Sequence, residues 1–356
     1  MSQTLNKTPT KTTGYTLMLE SPKKIGIKAY DEAELAPDEV RIKTLYSGIS
    51  AGTELTAYRG SNPYLNKKWD AEKRMFRTDE KSWSYPMPAF GYEEVGEIIE
   101  LGSAAKDLNK GDTIFGAWGH KSSHVAKAEW AKVRLLPKGL EPVAGIFAQI
   151  GSIALNGILD ADIHIGESVA IFGQGVPGLM MTQLAKANGA EVIAIDRLDS
   201  RLEYAKACGA DHIINNSNED AARTIKDLTD GRGADVSIEI TGIYAALHEA
   251  IRATAYNSRV VVCGFFQGDG TGLFLGEEFH HNRVDLVCSQ ISGVNPKLDH
   301  RWNRTRLDQT IMKLQARKKV DFKPLISHTF PATRGQEAFA LLDERPAEAL
   351  QVVLEF

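Results

Sequence analysis

The sequence predicts an α/β chain in two parts: a β-rich first domain and, behind it, a doubly wound parallel sheet. Three observations carry this. At 356 residues the chain is long enough for about two domains, each with its own core. From residue 15 to about residue 145, apolar and polar side chains alternate in short runs broken by glycine and proline, the period of half-buried strands. From about Ile163 onward, compact apolar runs alternate with stretches of helical spacing, the pattern of βαβ units.

Taken in order, residues 39–46 and 94–100 alternate cleanly and read as strands of the first domain. The runs at 168–172, 191–195, 212–214, 236–240 and 259–262 are apolar throughout, so they read as strands buried on both faces. The segments 179–188, 200–208, 220–228 and 244–254 have helical spacing and connect them. One amphipathic helix follows at 304–317, then a tail ending in an apolar run at 350–356 that is expected to fold back on the first domain. The expected division is a catalytic domain at 1–150, completed by 296–356, around a cofactor domain at 151–295. The strand at 284–289 is placed to pair across a two-fold at a sheet edge, which predicts a homodimer or homotetramer.

Composition excludes several classes. Lys and Arg total 42 against 46 acidic residues, without the basic excess that phosphate-backbone binding demands, so no nucleic-acid partner is expected. Three cysteines make no disulfide framework and fit a reducing compartment. The opening MSQTLNKTPTKTTG is polar, without the apolar centre of a signal peptide, and no stretch has the 18 uninterrupted apolar residues of a membrane span. A cytoplasmic protein with no membrane partner and a small-molecule substrate is the expectation.

The strand Ser168–Phe172 runs straight into Gly173-Gln174-Gly175-Val176-Pro177-Gly178, with a helical segment behind it. In that context G-x-G-x-x-G has a mechanism. The first glycine makes the tight turn, the second admits a pyrophosphate to the backbone, and the third lets helix and strand pack closely. The phosphates then face free N–H groups at the positive end of the helix dipole. The next strand ends at Asp196, whose carboxylate suits the adenosine ribose hydroxyls and repels a 2′-phosphate, so NAD is expected over NADP. Arg197 follows at once and offers the opposite reading, a phosphate ligand; Arg201 is within reach of the same ribose.

With these residues the chain resembles the medium-chain dehydrogenase/reductase superfamily over nearly its whole length. The resemblance rests on Ser47-Gly-Ile-Ser-Ala-Gly-Thr-Glu54, Tyr58-Arg-Gly60, Phe90-Gly-Tyr-Glu-Glu-Val-Gly-Glu97, Gly111-Asp-Thr-Ile-Phe-Gly116, the glycine loop and Lys323-Pro-Leu-Ile-Ser327. The first of these segments is similar to the branch that includes bacteriochlorophyllide dehydrogenase. The resemblance implies a GroES-like catalytic domain, a Rossmann domain, and a cleft between them where nicotinamide meets substrate. It also sets Thr241, Gly264 and Phe265 beside the nicotinamide.

The departures from the family pattern bear on the chemistry. Zinc-dependent members read Gly-Ile-Cys-Gly-Thr-Asp and Gly-His-Glu; here Ser50 or Ala51 stands at the cysteine, Tyr92 at the histidine, and the third ligand falls near Ala148. All three cysteines, Cys208, Cys263 and Cys288, lie in the second domain. A tetrahedral zinc site needs Cys, His or carboxylate ligands, and only Glu93 remains, so no metal is expected. Without zinc, a phenol, imidazole or hydroxyl must move the proton. Tyr92 takes that role if its surroundings or the nicotinamide charge lower its pKa; otherwise it fills the space left by zinc and histidine. Thr53 matches the family's proton-passing hydroxyl, or else is a plain N-cap. Glu93 and Glu54 are read as orienting groups. Of the adjacent His280 and His281, at most one faces the cleft if the pair lies on a strand, and His280 is kept as a relay candidate. His120 and His124 are read as flanking a strand. The aromatic-rich stretch between Gly60 and Tyr92 is read as a long loop suited to stack on a sugar ring or a flat apolar substrate, or else as padding on the domain surface.

The expected activity is a zinc-independent, NAD-dependent oxidation of a secondary alcohol, a sugar or cyclitol. Three alternatives stand beside it: reduction of an enone or quinone by NAD(P)H, a lyase or epimerase that recycles bound NAD, and an NAD-binding protein without chemistry.

Overall fold

A computed structural model describes residues 13–88 and 90–356. Residues 1–12, and with them most of the opening read for a signal peptide, lie outside the described residues.

The first sheet system begins with a hairpin, β1 (Thr13–Ser21) and β2 (Lys24–Asp31), and continues into β3 (Glu39–Ile49). A short helix α1 (Glu54–Arg59) follows. The stretch read as a long irregular loop contains a hairpin of its own, β4 (Lys68–Asp70) and β5 (Met75–Arg77), with β6 (Met87–Pro88) behind it. Its aromatics hold it together: Tyr64 packs on Phe76 at 5.5 Å and on Trp83 at 5.0 Å, and Trp69 meets Phe76 edge-on at 5.1 Å. Next come β7 (Glu93–Leu101), β8 (Thr113–Gly116), β9 (Ser123–Lys127) and α2 (Ala128–Lys132).

The helix α3 (Phe147–Ala161) leads into the second half. There the elements alternate: β10 (Ser168–Phe172), α4 (Val176–Ala187), β11 (Glu191–Asp196), α5 (Asp199–Ala207), β12 (His212–Asn215), α6 (Ala221–Leu228), β13 (Ala234–Glu239), α7 (Tyr244–Ala253) and β14 (Thr254–Val262). After α8 (Glu278–His281) and β15 (Asp285–Cys288) come α9 (Arg304–Ala316), β16 (Ile326–Pro331), α10 (Gly335–Glu344) and β17 (Gln351–Glu355).

Strands β10 to β15 form one parallel sheet in the order β12-β11-β10-β13-β14-β15. The order reverses between β10 and β13, which is where an open α/β sheet leaves a crevice at its carboxyl ends. The other large sheet has the order β16-β17-β3-β7-β8, with β9 on the far part of β3. The last strand, β17, therefore lies against β3, and the chain's C-terminal segment closes the sheet begun at its N-terminal end.

One apolar core joins the two halves. It contains Val95 and Phe115 of the first sheet, Ile150 and Leu155 of α3, Val169 and Ile171 of the parallel sheet, and Leu307 and Ile311 of α9. The segment Pro142–Ala161, which includes α3, has a mean hydropathy of 1.5, enough by length and composition for a membrane span. Yet 72% of that window is buried inside the fold, so its apolarity is that of a core helix.

Candidate active site and cofactor cleft

At the end of β10, Gly173 takes φ +103°, and a side chain there would press into Thr241. A Cβ on Gly178 would lie 1.9 Å from the Gly173 carbonyl oxygen, so the crossing of strand and helix admits only glycine. A Cβ on Gly175 would meet nothing within 4 Å, because that glycine faces the open crevice. Val176 and Pro177 begin α4, whose first turn has no side-chain cap. Its N–H groups therefore remain available to an anion.

Gln174 turns its side chain inward, donating to the Ile171 carbonyl at 3.0 Å and accepting from Thr182. Only its backbone belongs to the cleft: the Gln174 N–H donates to Asp196 at 2.7 Å. The other Asp196 oxygen accepts from the N–H groups of Arg197 and Leu198. Arg201 stands 3.9 Å from Asp196, and its Nε is buried without a partner. Arg197 is exposed and reaches toward Ser217. On the other side of the crevice Thr241 and Gly264 lie against Glu239, a residue sequence reading overlooked, and Phe265 lies against Gly242. Glu239 is fully buried and accepts from the Thr241 N–H and hydroxyl and the Gly242 N–H; burial nonetheless pushes its carboxyl up to about 7. A lone acid closing an apolar strand before Thr-Gly was the signal for it. An open glycine cradle, uncapped helix N–H groups and an orphaned arginine donor fit a nicotinamide dinucleotide.

In the first domain, Ser50 and Tyr92 share a very short hydroxyl–hydroxyl hydrogen bond, which selects Ser50 over Ala51 as the residue facing Tyr92. Thr53 occupies the N-cap of α1, but its side chain caps nothing; it lies near enough to the Tyr92 phenol to favour its charged form. Burial, with the Glu93 charge next, drives the Tyr92 phenol above its usual range, while Ser50 and Thr53 pull the other way. The lowering that an acid/base role was expected to need is thus not supplied by the protein, and Tyr92 stands as a neutral donor.

Glu93 is 1% exposed, with one oxygen accepting from Gln351 and the other without a partner. Burial and the neighbouring Glu54 and Glu94 raise its carboxyl well above the ordinary range. Glu54 accepts from the Ser50 N–H at 2.9 Å with one oxygen and meets His120 Nε2 at 2.7 Å with the other. His120 Nδ1 lies 2.6 Å from Ser47 Oγ, which donates to Glu94 at 3.1 Å, and Glu94 also accepts from the Trp118 N–H. His120 has no exposed surface. Burial lowers its pKa, but Glu54 and Glu94 outweigh this and hold it above the usual imidazole value. Burial in turn pushes Glu94 up to about 7.

His120 does lie just ahead of β9, but it is also the centre of a buried network beneath Tyr92, which the sequence did not mark, while His124 lies within β9. Gly91 makes room for His120: φ is +107° there, and a Cβ would sit 2.7 Å from the imidazole. His124, read together with it, is a separate case, stacked on Trp118 at 5.4 Å with its pKa lowered by burial to about 4. His280 is not drawn into this group. It is exposed on α8, a helical turn rather than a strand, and its ring contact is with His281.

The expected third metal position, Ala148, is a buried alanine at the start of α3. Two hydroxyls, an alanine and a carboxyl tied to Gln351 are not a tetrahedral zinc set. Among the described residues, three His, Cys, Asp or Glu donors converge at His248, Glu277 and Glu278, on α7 and α8 of the other half.

Comparison with known proteins agrees with this architecture. Residues 177–305 match the family model "zinc-binding dehydrogenase". The chain is 28% identical to D-guloside 3-dehydrogenase of Escherichia coli (strain K12), over 96% of this chain and 99% of that one. It is also 28% identical to L-threonine 3-dehydrogenase of Pyrococcus horikoshii, over 88% and 90%. Its fold superimposes on a putative zinc-binding dehydrogenase of Sinorhizobium meliloti bound to NADP, with TM-score 0.77 at 20% identity, covering 97% of this chain and all of that one. An Escherichia coli CFT073 alcohol dehydrogenase complexed with NADH gives 0.76 at 20% identity, covering 97% and 99%. The chain is therefore similar over nearly its whole length to dehydrogenases of the zinc-type alcohol dehydrogenase kind, and its cofactor half matches their family model.

Proposed function

We propose that the protein is a zinc-independent, NAD-dependent dehydrogenase that interconverts a secondary alcohol and its ketone on a sugar or cyclitol. The observation that carries this is the cluster of three hydroxyls, Ser50, Thr53 and Tyr92, at the positions where the family resemblance expects metal chemistry. Guloside, threonine and butanediol, named for the relatives, each carry a secondary hydroxyl.

When bound, the nicotinamide supplies the hydride acceptor or donor. The chain's own residues handle the proton. Tyr92, kept neutral by burial, donates a hydrogen bond to the substrate oxygen and gives up its proton as that oxygen gains charge in ketone reduction. Ser50 and Thr53 fix the phenol and stabilise it when it is charged. In oxidation Tyr92 must first pass its own proton to water through the Ser50 or Thr53 hydroxyl, and the phenolate so formed, favoured by the positive nicotinamide ring, takes the proton of the alcohol. Asp196 supports NAD, since its carboxylate repels a 2′-phosphate at the end of β11. The expected homodimer or homotetramer would form at β15, the edge strand of the parallel sheet.

The experiment is a panel of polyols, cyclitols and glycosides assayed for NADH or NADPH formation. Turnover of a secondary alcohol with NAD preferred supports the reading. Turnover of only enones or quinones with NADPH overturns it.

A further inference from the structure

Beside the Tyr92 site the fold encloses a second feature that the proton chemistry does not use. A cavity of about 160 Å³ lies between the end of β8, the start of α3 and the start of α9, walled in part by Ala148, Gln149, Trp130, Arg134, Arg304 and Asp308. Gly116, also in its wall, pairs with Glu94 across β7 and β8, and the Trp118 N–H bonds to Glu94, so the cavity adjoins the buried network.

Two arginines, Arg134 and Arg304, line this small space. Arg134 is half-buried, with its guanidinium 4.4 Å over the Trp130 ring, and spends one donor on the Trp130 carbonyl. Arg304, in the first turn of α9, spends one on the Ile291 carbonyl. Among the described residues neither forms an ion pair. Burial and the nearby Arg304 charge both disfavour the charged form of Arg134, and Asp308 offsets them only in part. Asp308 is 7% exposed, accepts from Ser152 at 2.6 Å, and has its carboxyl raised by burial. Two cations against one buried acid leave a positive surplus with most of its N–H donors free. Guanidinium forks of this kind match the two oxygens of a carboxylate or phosphate. The Trp130 and Gln149 side chains supply an apolar face and an amide, the means of holding a hydroxylated carbon chain.

We infer that this cavity, through Arg134 and Arg304, binds an anionic oxygen group of the substrate, and that the enzyme acts on a polyhydroxy alcohol bearing a carboxylate or phosphate. This rests on the proposed alcohol oxidation and narrows its substrate class.

The test measures binding and turnover on NAD-bound protein with matched ligands: sorbitol and glucose as neutral members, gluconate and glucuronate as carboxylates, glucose 6-phosphate and sorbitol 6-phosphate as phosphates. The inference predicts that at least one anionic series binds about tenfold or more tighter than its neutral partner. It predicts that R304Q and R134Q each remove most of that preference, while Y92F binds as before and does not turn over. R304Q changes a surface-facing arginine and so stands even if R134Q, which loses its stacking on Trp130, folds poorly. The carboxylate and phosphate arms show which group the cavity takes. Equal binding of neutral and anionic members, or a preference that R304Q leaves intact, overturns the inference. Turnover of neutral alcohols without anion preference leaves the proposed function standing and removes this one. Arginine-dependent anion binding with no alcohol oxidised by any ligand does the reverse.

Discussion

The cofactor crevice and the Tyr92 pocket are built on opposite principles. In the crevice the working groups are backbone: glycines that a Cβ would block, uncapped N–H groups, and an aspartate that ties three of them together. In the pocket they are side chains buried out of water, with Glu54, Glu93, Glu94 and His120 packed under three hydroxyls. A backbone cradle is set by local sequence and tolerates change around it. A buried ionisable network depends on every member, because removing one leaves its partner uncompensated. The glycine-loop pattern resides in the first, and the positions that differ from the zinc-ligand motif reside in the second.

The largest effect that could break this contrast is loss of Tyr92. Y92F should lower kcat by about 10²- to 10⁴-fold, the usual contribution of a positioned proton donor, and leave NAD affinity unchanged. Steady-state kinetics with a fluorescence titration of the cofactor separates the two; a loss shared equally between kcat and NAD binding would erase the distinction. His120→Ala should cost about 3–5 kcal/mol of stability by stranding Glu54 and Glu94, and His120→Gln should recover part of it. Denaturant unfolding reads this, and a cost below about 1 kcal/mol would mean that water satisfies the network.

Glu239 offers a test from the crevice side. Its folded pKa of about 7 lies above the ordinary glutamate value, so the native state holds a proton that the unfolded chain releases. Stability from this group is therefore present at low pH and lost as pH rises from about 4.5 to 7, by up to about 3 kcal/mol. Thermal unfolding of the cofactor-free protein should show a decline over this window that is shallower in Glu239→Gln than in the parent, the remainder coming from Glu94 and Glu93, whose carboxyls are raised in the same way. The smallest effect concerns cofactor choice: Asp196→Asn, which keeps an acceptor for the loop N–H groups, should raise NADP affinity about tenfold. No change there would show that Arg197, not Asp196, governs the ribose end.

Much of the crevice was legible in the sequence because its signals are contiguous. Gly173 to Gly178 occupy six consecutive positions, and Asp196 ends the very next strand. The apolar runs at 168–172 and 191–195 coincide with β10 and β11 almost to the residue, since strands buried on both faces carry no alternation to blur their ends. The pocket was legible only at its upper layer. Tyr92 and Thr53 fall at positions of the family motif, but His120 meets Ser47 across 73 positions and Glu54 across 66, and nothing local marks it. A histidine between glycine and lysine in a polar stretch reads as surface; only the pairing of β3 with β7 and β9 turns it inward. His280 failed for the opposite reason: a local doublet drew notice, and the fold leaves it on the surface.

In the proposed chemistry hydroxyls and not a metal handle the proton. The direct measurement is the metal content of the purified protein together with alcohol oxidation before and after exhaustive chelation, for the parent and Y92F. NAD-dependent activity should survive chelation and disappear in Y92F. Zinc at one equivalent per chain, whose removal abolishes activity and whose return restores it, with Y92F still active, would contradict it.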